Sequence, residues 1–279
     1  MRLPLRRRAC YALGAIALYH GVTNSHPSAL AQFPGRVVDV NAGDYFFQAP
    51  DTIDAGLVTL QLWQRGREHH NLELIRIDSG HTASEWYRTA LAHQLPSWGT
   101  NLGGPGFARL GQSSNATYLL QPGSYLLMCS VGSARTVDSL YHVWRGMVRP
   151  LHVRGSRAVG QIPRPDIIAR ITDHGVELSG TLRAGQRLLR VENAGTSVHE
   201  FGLRHVKTGR TAAEALAWRR AMGTPEPDTL VSGLGDLEPG RVVFTTITLA
   251  PGDYIAKIVP SRNAPGAQTV FRIDPASAR

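Results

Sequence analysis

An internal repeat constrains this chain more than any other feature. Ala55-Gly56 recurs as Ala184-Gly185, Gly66 as Gly195, and His70 as His199. Gly80-x-Thr82-Ala-x-Glu85 recurs as Gly209-x-Thr211-Ala-x-Glu214, Gly104-x-Gly106 as Gly233-x-Gly235, and Pro122-Gly123-x-Tyr125 as Pro251-Gly252-x-Tyr254. All six landmarks are 129 positions apart, an offset that chance would not hold constant. The chain is therefore a duplicated unit, and its 279 residues suit two ordinary domains.

Within each copy the texture is β. Short apolar runs (Val58 to Trp63, Leu72 to Ile77, Thr117 to Leu120, Ser124 to Val131) are bounded by Gly, Pro, Asn and Asp. That punctuation predicts an antiparallel sandwich or barrel. One helix interrupts each copy. Thr82-x-x-Glu85 and Thr211-x-x-Glu214 are capping boxes, with helix formers over Ala83 to Gln94 and Ala212 to Met222 behind them. Arg154 to Pro165 has linker composition. The expected order is a leader over 1–31, a first domain over 32–153, a linker over 154–165 and a second domain over 166–279.

The leader reads as a secretory signal. Arg2, Arg6, Arg7 and Arg8 precede an apolar Ala9 to Tyr19, and Ala29-Leu30-Ala31 supplies small residues for cleavage before Gln32. No uninterrupted apolar run is long enough to span a bilayer, so the expectation is a soluble protein that is secreted or periplasmic. Cleavage removes four arginines and no acid, taking the net charge from +9 to +5. A moderately basic surface suits an acidic partner protein, whereas nucleic acid would call for a clustered basic stripe with interleaved aromatics. Cys10 leaves with the leader, and Cys129 remains as one unpaired thiol in an oxidising compartment.

Cys129 heads a group with chemical meaning. His142 follows it after twelve residues and Met147 after four more, and the Leu151 to Val153 run closes the hairpin. Thiolate, imidazole and thioether donors suit copper, and His₂Cys with a long axial Met is the electron-transfer set. The second imidazole must come from upstream. His70 is favoured over His69 because the repeat equates His70 with His199 and because Asn71 follows it. The second copy carries Ile258 at the position of Cys129, is nine residues shorter across the same hairpin, and keeps only His199. One copper per chain, in the first domain, is the expectation.

At these residues the first copy resembles the cupredoxin family, the plastocyanin and azurin group of blue type 1 copper proteins. His70-Asn71 matches its early pair, Pro122-Gly-x-Tyr125-x-x-x-Cys129 the approach to the ligand loop, and His142-x4-Met147 the loop itself. The resemblance covers residues 36–153, with 166–274 as a degenerate second copy. It implies an all-β chain of two tandem Greek-key β-sandwich domains, each with one short helix, and ligands at one end of the first. It also implies metal ligation by His70, Cys129, His142 and Met147, with Asn71 supporting the ligand loop from behind. The chain lacks the His-x-His pairs of multicopper oxidases and the His beside Cys of copper nitrite reductases. An electron carrier or copper-binding protein is thus favoured over an oxidase or reductase.

The remaining features read more plainly. His81, His93, His152 and His205 have no supporting spacing, and Gly103 to Gly106 reads as a turn. Tyr141, Trp144 and Arg145 flank the ligands and fit either a docking patch for a redox partner or core packing. A different class of function is a metal-free β-sandwich binding module. The copper reading needs the four ligands to converge; the module reading places Cys129 in the core and His142 in solvent.

Overall fold

The computed structural model describes residues 32–276 apart from 93, 95, 109, 133–139, 219–222 and 261–265. The leader with Cys10, and His93, lie outside the described residues. The first half contributes β1 (Arg36–Gly43), β2 (Phe46–Gln48), β3 (Thr52–Asp54), β4 (Gly56–Gln64), β5 (Glu73–Ile77), β6 (Gly99–Asn101), β7 (Ser113–Leu120), β8 (Gly123–Met128) and β9 (Val148–Arg154). The second contributes β10 (Ile167–Thr172), β11 (Gly175–Gly180), β12 (Gly185–Asn193), β13 (His199–Val206), β14 (Asp228–Leu237), β15 (Val242–Leu249), β16 (Gly252–Pro260) and β17 (Ala267–Ile273). Helix α1 (Ala83–Leu91) lies in the first half and α2 (Ala212–Ala217) in the second. The all-β expectation is met, and the pairings give β-sandwich layers.

The alternation in the strands decides which face packs where. In β5 and β8, Leu74, Tyr125 and Leu127 point into the main core with Leu60, Leu62 and Val40. Their neighbours Ile75, Ile77, Leu126 and Met128 point outward, where Trp86 and Ala90 of α1 cover them. A five-stranded sheet ordered β3-β9-β8-β5-β6 is therefore apolar on both faces. Each such buried side chain contributes about 1.5–3 kcal/mol. Both capping boxes form as read: Thr82 and Thr211 accept from the Glu85 and Glu214 amides, and each Glu carboxylate reaches back to its Thr.

Three local expectations are corrected. Helix α1 stops at Leu91 rather than Gln94, because the Gln94 amide reaches back five residues to Thr89 O (3.2 Å) and opens the last turn. Helix α2 ends at Ala217, where Trp218 is extended (ψ 139°) and its indole donates to Thr224 O (3.0 Å), and residues 219–222 of the expected segment lie outside the described residues. Strand β8 ends at Met128, one residue short of the thiol.

The larger correction concerns Gly103 to Gly106, which is part of a join between the halves rather than a simple turn. Gly106 N donates to Gly233 O (2.8 Å) and Gly235 N to Gly104 O (3.0 Å), so the two copies of one motif pair with each other. A Cβ on Gly106 would stand 2.5 Å from Gly233 C, and no larger residue allows that approach. Strands β7 and β15, which are the same strand of the two copies, also meet antiparallel at Thr117 and Phe244. This builds one eight-stranded sheet ordered β11-β10-β12-β15-β7-β4-β1-β2. Asn115 completes the seam, taking the Thr246 amide on Oδ1 and donating from Nδ2 to Thr246 O (both 2.8 Å). Like surfaces facing each other is the geometry of a two-fold dimer, here within a single chain.

Candidate metal centre

His70 lies between β4 and β5, Cys129 directly follows β8, and His142 opens a one-turn 3₁₀ helix (His142–Arg145) leading into β9. A neck of backbone hydrogen bonds ties His142 to the residues that follow Cys129. His142 N donates to Val131 O (2.8 Å), Val143 N to Cys129 O (3.1 Å) and Cys129 N to Met147 O (3.1 Å), while Gly132 and Tyr141 form a bridge. Cys129 Sγ stands 3.4 Å from His142 Nδ1 and 3.9 Å from His70 Nδ1, and the two Nδ1 atoms are 3.0 Å apart. All three side chains are fully buried, and among the described residues this is the one group of three or more His, Cys, Asp or Glu with ligand atoms so close.

The outward nitrogens are both held by carboxylates. His70 Nε2 meets Asp44 Oδ1 (3.3 Å), and His142 Nε2 meets Glu68 Oε2 (3.1 Å). An ionised carboxylate only accepts, so each Nε2 carries the proton and each Nδ1 presents a lone pair inward. Asp44 also accepts the Glu68 amide (3.0 Å), and Tyr45 donates to Glu68 Oε1 (2.7 Å). Gly66 makes the first contact possible: a Cβ there would lie 2.3 Å from Asp44 Oδ1 and 2.6 Å from His70 Nε2.

Burial sets the protonation states. It lowers His70 to about 4, with the neighbouring His142 adding to the effect and Asp44 opposing it. Burial likewise lowers His142 against the pull of Glu68, and pushes the Cys129 thiol up to about 12. Near neutral pH the pocket thus holds two neutral imidazoles and a thiol. Two lone pairs face each other at 3.0 Å with one weak S–H donor to share. A cation resolves that arrangement, and its charge reverses the burial effect on the thiol.

The spacing fits one ion. Bonds of about 2.0–2.1 Å to nitrogen and 2.3 Å to sulfur at tetrahedral angles set N···N and N···S separations of about 3.3 and 3.6 Å. The observed 3.0, 3.4 and 3.9 Å lie within a few tenths of an ångström of these.

Met147 is fully buried in the same core as Cys129, and its amide donates to His142 O (2.9 Å). Asn71 links the early loop to the ligand loop. Its Oδ1 accepts from Ser130 N (3.0 Å) and its Nδ2 donates to Ser130 Oγ (2.7 Å) and Glu73 Oε1 (3.0 Å). Glu73 also takes the Asp236 amide of the second half (2.9 Å), so the backing of the site reaches across the join. Burial raises Glu73 well above the usual carboxylate range and raises Glu200 to about 7, with Asp236 adding to both. Tyr141 and Trp144 meet edge-to-face at 4.7 Å and pack against the α1 cluster, while the Arg145 guanidinium lies 5.2 Å over the Tyr45 ring. His81 stacks on Trp98 and His205 on Tyr254, and neither joins the group.

The sequence reading missed Asp44 and Glu68. Asp44 had a signal, since it recurs at the common offset as Asp173. Glu68 had none, because its counterpart is Ser197.

No family model matches the chain, and no curated protein matches it in sequence. Among solved structures, auracyanin from Roseiflexus castenholzii is similar at 14% identity, covering 43% of this chain and 98% of that one, with a TM-score of 0.30. Auracyanin B is similar at 20% identity over 44% of this chain and 92% of that one, with a TM-score of 0.31. The multicopper oxidase mgLAC is similar at 15% identity over 86% of each chain, with a TM-score of 0.25. Values this low assign neither a family nor an activity.

Proposed function

We propose that this is an exported cupredoxin-like protein that transfers single electrons through one type 1 copper in its first half. His70, Cys129, His142 and Met147 would hold that copper. Residues 32–153 and 166–279 are the two tandem domains, the second without ligands, and the basic mature surface suits an acidic redox partner. The observation that carries the reading is the convergence of two inward lone pairs and a thiol sulfur in a fully buried pocket, each imidazole held from behind by a carboxylate.

A bound copper supplies a Cu(II)/Cu(I) couple. The chain supplies the rest. Neck hydrogen bonds and the two carboxylates hold the ligand atoms in place, so little rearrangement accompanies a change of charge. Burial keeps water from the ligand atoms. Cys129 must lose its proton on loading, which makes binding weaken as pH falls.

The test is an absorption spectrum of the mature protein during titration with Cu(II), with Cys129→Ser as control. The expected result is an intense visible thiolate-to-copper band saturating at one equivalent and absent from the variant. A colourless protein without stoichiometric binding would sink the proposal and favour the metal-free recognition module.

A further inference from the structure

We propose that Glu68 is a positioning residue of this centre: it fixes the proton of His142 on Nε2 and biases the site toward Cu(II). The inference rests on the copper reading above. Glu68 is all but buried, and Oε2 meets His142 Nε2 at 3.1 Å while Oε1 takes the Tyr45 hydroxyl at 2.7 Å. A carboxylate at that nitrogen excludes the tautomer in which Nδ1 carries the proton, and Nδ1 is the atom that faces Cys129 at 3.4 Å. Negative charge behind an imidazole makes it a stronger donor, and that favours the more highly charged metal ion.

Two observations separate this role from packing. Asp44 and its contact to His70 recur in the second half as Asp173 and His199, so that pair is architecture. Glu68 becomes Ser197 there, in the half that also lacks counterparts of Cys129 and His142. A buried carboxyl group is thus present at this position only in the half that has a His142 for it to meet. Second, Tyr45 is the one non-glycine among the described residues at positive φ (70°), and its ring stands edge-on to His142 at 5.2 Å. Backbone held in that region is costly, and here it places the hydroxyl on Glu68.

The experiment measures Cu(II) and Cu(I) affinities and the imidazole tautomers, the latter by ¹⁵N NMR of metal-free and zinc-loaded protein. Glu68→Gln keeps an acceptor and removes the charge; Glu68→Met removes both. Glu68→Met should lose about 10–100-fold in Cu(II) affinity with a smaller loss for Cu(I), and Glu68→Gln should lose less. Each tenfold lost for Cu(II) alone raises the reduction potential by about 59 mV. In Glu68→Met, His142 should show mixed tautomers. Tyr45→Phe frees Glu68 from one donor and should shift the ratio the other way by a smaller amount, so the proposal stays testable even if Glu68→Met does not fold. A ratio of Cu(II) to Cu(I) affinity within twofold of the wild type in every variant overturns it. If the wild type binds no copper, the copper reading has failed, and the metal-free tautomer decides about Glu68. Loss of a single Nε2–H form in Glu68→Met or Glu68→Gln then supports the positioning role, and its persistence in both overturns it.

Discussion

The two halves share a scaffold and differ in what it holds. In the second, His199 is as buried as His70 and its Nε2 meets Asp173 at 3.0 Å, with Gly195 leaving room just as Gly66 does. Its inward Nδ1, however, has no hydrogen-bond partner. Ile258 pairs with Phe201 where the first half has its thiol, and the hairpin is nine residues shorter: Gly123 registers with Val153, but Gly252 with Ile273. The Asp–His latch therefore belongs to the fold and survives without a metal. What marks the first half is the combination of Glu68, Cys129, His142 and the long hairpin. A buried histidine of this kind is weak evidence of a site, and its orphaned nitrogen is what remains when the other ligands are gone.

Substitutions can break or sharpen this contrast. The largest effect is expected for ligand exchange: His70→Ala should abolish the visible copper band, whereas His199→Ala should leave it unchanged and lower stability by about 2 kcal/mol through the cavity it opens. Loss of the band in both would erase the distinction between the halves. Ile258→Cys should create no second band in the copper titration, because the second half has neither a His142 nor the hairpin to carry one.

Proton linkage should separate the halves next. His70 falls from 6.5 to about 4 on folding, so the unfolded chain binds more protons there and stability rises with pH between those values. Glu200, the counterpart of Asn71, rises from 4.5 to about 7, so its contribution runs the other way and is lost as pH rises through that window. Each contributes at most about 3 kcal/mol. In urea unfolding of the metal-free protein at pH 4.5 and 7, Glu200→Gln should steepen the gain with pH and His70→Asn should flatten it. Parallel profiles would show that neither group titrates as described. The smallest effect should be common to both halves: Thr82→Ala and Thr211→Ala each remove a capping box and should cost about 1 kcal/mol without changing copper binding.

How much of this was legible depended on range. The duplication, both capping boxes and the placement of His70, Cys129 and His142 could be read because each rests on fixed spacing or on local hydrogen bonding. The helix ends could not, since Gln94 and Trp218 leave helical geometry for partners the propensities do not see. The neck that fixes His142 is formed by backbone groups of Val131 and Gly132 meeting Tyr141 and His142, and backbone pairing leaves no side-chain signature. Glu68 reaches His142 across 74 positions of sequence, and neither residue has a counterpart to reveal the pair. The glycine run reads locally as a turn, because nothing in its own spacing shows that it meets the other copy of itself.

The seam between the copies has a consequence for how the protein responds to its surroundings. Two separate chains meeting through β7, β15 and the paired glycines would assemble only above some concentration. Joined by one backbone, the same surfaces meet at an effective concentration of about millimolar or higher, whatever the bulk value. The hydrogen bond from Asp236 to Glu73 behind the ligand loop is therefore supplied within every molecule. That support is kept however far the protein is diluted.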